Sequence, residues 1–550
     1  MPPEQVKQRR FYHWPGQSPS KTEHATQNHK LDYKIPAGAY STQGIPVASS
    51  MPQLPNGQSR ATSQTNHGRF PPRPVPIPPP QTQISQTGPS ALNRATWTSY
   101  SGLNASVGNL LSHATQKAHA TVLDLETLIF QCVGGAPNVH EPTSRLLDQV
   151  ITSIDSGVFC GRENELVAAC ALPLRSKYKD RTSSQSGKQK PERSTDYFSK
   201  VYLYANSQMP MSLTPIKFYP ATYPLLQLAA QYSRRVYDKP NNRERSSYVQ
   251  SDWRNGTKAM VIKSLPVDNM NTIVFAIRGT QSFMDWTVNM NMAPVSPNGF
   301  LDDSSNFCHA GFLSVARKMV APVAARLRAL LEEDPNRMSY SLLITGHSAG
   351  GAVASLLYLH LLSNSATAQS ELIHLRGCFK HIHCVTFGAP PISFRPLLRP
   401  ASASSRSMFF SFVNEGDPVC RAEKGYFLSL LDLYAKPPPG SVLAFNLNTN
   451  SRSDTLWPVP AAILSTAGRM VLLRDETPES SNRLQAFYPV KNSNDGAPPL
   501  PPRQNVGAYG ITDLDLRNVV FGDPLMHMMD LYARRIDILG RDSAREKPRR

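Results

Sequence analysis

One serine in this chain is built to act as a nucleophile: Ser348, within Gly346-His-Ser-Ala-Gly350. It stands between a short apolar strand pattern, Leu342 to Thr345, and an alanine- and leucine-rich helical pattern ending near Leu362. A strand that turns straight into a helix exposes the serine at a sharp, strained bend. The residues two before and two after it must then be small, and Gly346 and Gly350 meet that demand. Gly351 and Ala352 let the following helix lie close to the sheet. A hydroxyl is a poor nucleophile until a base takes its proton, and the base needs an acid to orient it.

In hydrolases built on such a bend, the chain order runs serine, acid, histidine. That order is restrictive here, because His527 is the one histidine beyond residue 383. It sits in Leu525-Met-His-Met-Met-Asp-Leu-Tyr532, predicted as a loop opening a helix. The acid has more candidates: Asp417, Asp432, Asp454, Asp513 and Asp515. Asp417 is favoured because it follows the predicted strand Phe409-Phe-Ser-Phe-Val413, and open parallel sheets carry site residues at the carboxyl ends of their strands. Asp513 is the second choice. An oxyanion hole needs N–H donors already aimed at the developing charge. The N–H of Ala349 is one; the turn ending Ile273-Val-Phe-Ala-Ile-Arg-Gly-Thr280 supplies the other at Thr280. Cys378, His381, His383 and Cys384 offer ligand types for zinc. On a strand, however, the two histidines share a face and Cys384 points away, so no metal and no cofactor is expected.

The elements that must position these residues lie between about 215 and 540. A helical stretch from Tyr223 to Tyr232 leads into strands at 259–265 and 273–278. A helix from His309 to about Glu333 follows, then the strand–serine–helix unit and strands at 381–387 and 408–413. Strands alternating with helices imply an α/β fold with a mostly parallel central sheet covered on both faces. Residues 436–505 lose this pattern and read as a loop-rich insertion.

The rest of the chain reads differently. Residues 1–90 are rich in Pro, Gln, Ser and Thr and are expected to be disordered. Within them Arg73-x-x-Pro76-x-x-Pro79 has the spacing an SH3 groove reads. Residues 92–172 regain helical periodicity, with Val107, Leu110, Leu111 and Ala114, then Leu146, Leu147, Val150, Ile151 and Ile154. These helices pack on the main domain or on each other, with membrane-surface helices as the alternative. Residues 173–200 are a basic, serine-rich linker, and 541–550 a basic tail.

The composition sets further bounds. Among 550 residues, 48 prolines and 40% hydrophobic content imply a large unpacked fraction. A net charge of +18 suits anionic surfaces such as a membrane or lipid droplet. No nucleic-acid-binding motif accompanies it. Seven cysteines without paired spacing argue against a disulfide scaffold. The first residues lack the apolar core of a signal peptide, and no run reaches a membrane span, so a cytoplasmic protein, soluble or peripherally bound, is expected.

Six landmarks occur in one order: Arg278-Gly-Thr280 with Asp285-Trp286, His309-Ala-Gly-Phe312, Thr345-Gly-His-Ser-Ala-Gly-Gly351, Phe387-Gly-Ala-Pro390, Val413-Asn-Glu-Gly-Asp417, and His527-x-x-x-x-Tyr532. Over roughly 220–540 the chain resembles the class 3 lipases, the filamentous-fungal type of triacylglycerol lipase. The resemblance implies an α/β-hydrolase fold, a triad of Ser348, Asp417 and His527, and an oxyanion hole at Thr280 and Ala349. It also implies a lid at 281–292, on which Phe283, Met284, Trp286 and Met290 would face a lipid ester substrate. Ala349 stands where the family usually has leucine, and the interval from Asp417 to His527 is long. The expected activity is serine carboxylester hydrolysis of acylglycerols. A phospholipase A-type or monoacylglycerol esterase is the near alternative, and a non-catalytic lipase-like signalling or scaffold protein the distant one.

Overall fold

The computed structural model describes residues 98–133, 139–171, 196–237, 248–249, 260–265, 270–279, 293–401, 403–436, 455–476 and 505–545. Side chains are described from residue 115 onward, except those of 248–249 and 260–265. The chain divides into two units, Met1–Pro89 and Ser90–Arg550, and every described residue belongs to the second. The proline-rich segment with its SH3-type motif, the run 172–195, Thr280 and the predicted lid lie outside the described residues.

Helices α1 (Thr98–Val133), α2 (His140–Ser156) and α3 (Glu163–Ala169) precede α4 (Tyr223–Arg235). Strands β1 (Tyr248–Val249), β2 (Met260–Leu265) and β3 (Thr272–Ile277) follow, then α5 (Ala310–Glu333), β4 (Ser341–His347) and α6 (Ala349–Leu361). The chain continues through α7 (Glu371–His374), β5 (Ile382–Phe387), β6 (Phe409–Asn414), α8 (Lys424–Ala435), β7 (Arg469–Asp475), β8 (Val506–Gly510), α9 (Asp513–Arg517) and α10 (Met529–Arg545). The eight strands form one sheet in sequence order. Strands β3 to β7 are parallel, while β1, β2 and β8 pair antiparallel at the edges.

Alternation along the parallel strands builds two cores from one sheet, because successive strand side chains point to opposite faces. Ile273, Phe275 and Ile277 of β3, with Leu342 and Ile344 of β4, pack on α5 and α6. Val274, Ala276 and Leu343, with Phe387, Phe412 and Val471, pack on α4 and α10. Strands covered on both faces read as unbroken apolar runs, as these do. The fold is therefore a mostly parallel α/β sheet in the α/β-hydrolase layout.

Three sequence boundaries are corrected. The supposed insertion 436–505 contains β7, which pairs with β6 deep in the sheet. Its signal is only Met470–Leu473, an apolar run too short to stand out in a stretch of sequence with little other pattern. The basic linker ends before 196, because Tyr197, Phe198 and Val201 enter the apolar core in a 3-10 turn. The basic tail does not begin at 541, since α10 runs on to Arg545. Helix α2 buries Leu146, Leu147, Val150, Ile151 and Ile154. They share a core with Tyr426, Phe427 and Leu430 of α8 and with Leu525 and Met526, next to His527. For α1, the periodic residues 107–114 lie where side chains are not described.

Candidate active site

Ser348 ends β4 and precedes α6 with φ +56° and ψ −137°. A non-glycine residue held there costs about 1–3 kcal/mol, and the surroundings must enforce it. They do so by close backbone approach. A Cβ on Gly346 would stand 2.6 Å from the Gly350 carbonyl group, and one on Gly350 would stand 2.3 Å from the Ile277 oxygen. The Ser348 N–H donates to the Phe387 carbonyl at 3.0 Å, which ties the bend to β5. Ala349 begins α6, so its N–H belongs to the first turn, where N–H groups have no intrahelical acceptor.

His527 ends a 3-10 turn, Pro524–His527, that precedes α10. Its Nδ1 lies 2.9 Å from Asp417 Oδ2. The same carboxylate oxygen accepts the Tyr532 hydroxyl at 2.6 Å, and Asp417 Oδ1 accepts the Val419 N–H at 2.8 Å. Asn414, at the end of β6, anchors the turn by donating its Nδ2 to the Met526 carbonyl at 2.9 Å. Its own N–H donates to the Tyr532 hydroxyl, also at 2.9 Å. The imidazole and its acid are thus set by β6 and α10 together. Gly388, just past β5, has φ +54° and lies against both. A Cβ there would come within 2.8 Å of Asp417 Oδ2 and 2.9 Å of His527 Nδ1.

His347 turns away from the Ser348 hydroxyl, as a strand neighbour must. Its Nε2 lies 2.7 Å from the His527 carbonyl oxygen, which can only accept, so that nitrogen carries the proton. Its Nδ1 then accepts the Tyr237 hydroxyl at 2.9 Å. Burial, with the neighbouring charge on His527, lowers the His347 pKa well below the ordinary value and keeps the ring neutral.

The residue that sequence reasoning missed is Asp155, in the last turn of α2. The Ser348 hydroxyl donates to Asp155 Oδ2 at 2.8 Å. Asp155 Oδ1 stands 3.6 Å from His527 Nε2 and 3.8 Å from His347 Nδ1. Ser348, Asp155, Asp417 and His527 are all fully buried. Burial raises the Asp155 pKa above the usual carboxylate range. On His527 burial acts downward, but the carboxylates of Asp417 and Asp155 outweigh it and lift the ring to about 9. Asp155, His347 and His527 also offer ligand atoms within 4.8 Å of one another. Both ring nitrogens of His347 are already bonded within the protein.

The other acid candidates are engaged elsewhere. Asp513 pairs with Arg517 at 2.8 Å and accepts from Ser465 at 3.0 Å. Asp515 caps α9, Asp432 faces His140, and Asp454 lies outside the described residues. His309 caps α5, accepting the Phe312 N–H. His383 Nδ1 accepts the Met408 N–H at 3.2 Å, while Cys384 enters the opposite core.

Residues 274–426 match the profile of the family described as Lipase (class 3). Over that segment the chain is similar to the class 3 lipases. Ser348 and Asp417 fall inside the segment that matches the class 3 lipases, whereas His527 and Asp155 fall outside it. The chain is 32% identical to a lipase of Rhizomucor miehei over 123 residues, 22% of this chain and 30% of that protein. It is 27% identical to the secreted mono- and diacylglycerol lipase A of Penicillium cyclopium over 200 residues, 34% of this chain and 58% of that protein. The chain therefore spans only about a third to just over half of the curated relatives it matches. Among solved structures, it is similar to the Rhizomucor miehei lipase propeptide complex, with a TM-score of 0.32 and 17% identity over 59% of this chain and 89% of that one.

Proposed function

We propose that this chain is a serine carboxylester hydrolase acting on acylglycerol-type lipids. The observation that carries the reading is the shared neighbourhood of Ser348 and His527. Both contact the Asp155 carboxylate, at 2.8 Å and 3.6 Å, while Asp417 grips the far side of the imidazole at 2.9 Å. Ser348 Oγ attacks the ester carbonyl carbon as His527 Nε2 takes its proton. Asp417 holds the Nδ1–H and so fixes the tautomer in which Nε2 acts as base. The tetrahedral oxyanion is held by the Ala349 N–H, with Thr280 in the family's second position. His527 then protonates the departing glycerol oxygen, leaving an acyl-serine that water hydrolyses by the same proton route. Losing one oxyanion donor typically costs about 10²–10³ in kcat.

Acylglycerols are preferred over phospholipids because two curated relatives carry acylglycerol lipase names. Phe283, Met284, Trp286 and Met290 are assigned to the lid on the family's pattern. Among the described residues no helix is long and apolar enough to cross a membrane. All seven cysteines are unbridged, which supports placement in a reducing compartment.

A fluorophosphonate probe tests the reading. Labelling that disappears in Ser348→Ala supports the hydrolase, and hydrolysis across a panel of mono-, di- and triacylglycerols and phosphatidylcholine then identifies the substrate. Folded protein that never labels at Ser348 would instead support a lipase-like scaffold.

A further inference from the structure

The proposed reaction leaves one contact unused. Asp155 comes from a helix 193 residues upstream of the nucleophile, yet its carboxylate takes the serine's proton bond. In the resting arrangement a carboxylate stands where an acyl carboxyl group must come to react. One oxygen meets Ser348 Oγ at 2.8 Å and the other faces His527 Nε2 at 3.6 Å. A free fatty acid leaving the site would present the same two oxygens to the same two groups.

We propose that the carboxyl end of α2 is a resident product mimic, with Asp155 as a gate that holds Ser348 in an inactive state until it swings out. The proposal rests on the hydrolase reading and adds its regulation. Three observations carry it. First, Asp155 occupies the hydrogen bond that Ser348 must give to His527. Second, the Asp155 carboxyl places acceptor oxygens beside the serine, the reverse of the preorganised donors that the oxyanion needs. Third, the helix end is clasped rather than loosely laid on. The Arg278 guanidinium donates to the Ser156 carbonyl at 2.6 Å and lies over the Tyr237 ring. Gly279 packs so closely that a Cβ would stand 3.3 Å from both Asp155 Oδ1 and Ser348 Cβ.

Opening has to release this clasp, and it is confined to the end of the helix. Leu146, Leu147, Val150 and Ile151 keep the body of α2 in the core. The last turn is followed by Gly157 and Gly161, with φ of +67° and +76°. The other ionisable groups around the gate are His347, Tyr237, Asp417, His527, Tyr532 and Arg278, from β4, the turn after α4, the β6 loop, the 3-10 turn before α10, α10 and the β3 turn. None replaces the carboxylate of Asp155 at the serine. Ionised Asp155 also helps keep His527 protonated, and a protonated ring cannot act as base.

The test uses full-length protein, a fluorophosphonate probe and p-nitrophenyl butyrate, in wild type, Asp155→Asn, Asp155→Ala and Ser348→Ala. Labelling forms an Oγ–P bond, expels fluoride and passes the serine proton to His527. Both Asp155 variants should label at least about tenfold faster than wild type, the scale of one misplaced charge at an oxyanion. The acid limb of their kcat/KM profile should shift to lower pH, which a purely structural role would not produce. Their Tm should be unchanged or higher, because a buried charge has been removed while His527 keeps Asp417. Variants that label no faster, or that lose stability or fail to fold, overturn the gate while leaving the hydrolase reading intact. If neither wild type nor the Asp155 variants label at Ser348, the hydrolase reading falls and the gate with it.

Discussion

Gly388→Ala separates the geometry of the site from its chemistry, because Gly388 touches no reacting atom in the proposed reaction. The position has φ +54°, where an L side chain costs about 1–2 kcal/mol. That alone should lower Tm by a few degrees. The second effect is local. The new methyl would stand 2.8 Å from Asp417 Oδ2 and 2.9 Å from His527 Nδ1 and Cε1, where ordinary contact begins near 3.4 Å. The acid and the imidazole must therefore retreat by roughly half an ångström or more. Neither has a soft direction in which to move. Asp417 is held by Tyr532 and Val419, and the turn carrying His527 is held by Asn414 and His347. Misplacing a catalytic pair by about 1 Å can cost 10²-fold. We expect kcat/KM on p-nitrophenyl butyrate and the fluorophosphonate labelling rate to fall by about 100-fold, with a cooperative melt retained. Asp417→Asn should fall at least as far without the backbone cost. A Gly388→Ala protein with activity within about threefold of wild type would show that the Asp417–His527 pair tolerates displacement, and the argument from close approach would be wrong.

Two further expectations follow from the same network. His527 is raised from its ordinary 6.5 to about 9 in the folded protein, and Asp155 is raised as well. A group with a raised native pKa stabilises fully below its unfolded value and loses that contribution as pH climbs through the native one. Stability should accordingly decline between about pH 6.5 and 9, and a Tm that is flat or rising across that window contradicts the assignment. Tyr532→Phe removes the hydroxyl that donates to Asp417 and accepts the Asn414 N–H, leaving that N–H buried without this partner. It should cost about 1–3 kcal/mol in urea unfolding together with a several-fold loss of labelling rate. Unchanged values for both would show that the hydroxyl holds nothing in place.

What the sequence made legible follows from how local each constraint is. Ser348 is readable because its bend demands small residues within two positions, and Gly346 and Gly350 record that demand in the chain itself. Asp417 is readable from the strand before it, and His527 from chain order among few histidines. Strand β7 is not, because its burial on both faces is set by neighbours distant in sequence, and seven residues carry too little pattern. Gly388 lies inside a landmark, but its need to be glycine arises from two side chains that arrive later in the chain. Asp155 is the sharpest case. Nothing in its spacing to Ser348 announces a contact, yet one local signal exists: Leu147, Ile151 and Asp155 recur every four residues, which puts an acid on the apolar stripe of an amphipathic helix. Carboxylates are almost never fully buried unless they are paired. A charge in register with a core face is therefore a demand for a partner elsewhere in the fold, and here the partners are Ser348 and His527. The same logic makes the helical segment part of the catalytic body rather than an appendage, since a helix that only packed would have placed an apolar residue at that position.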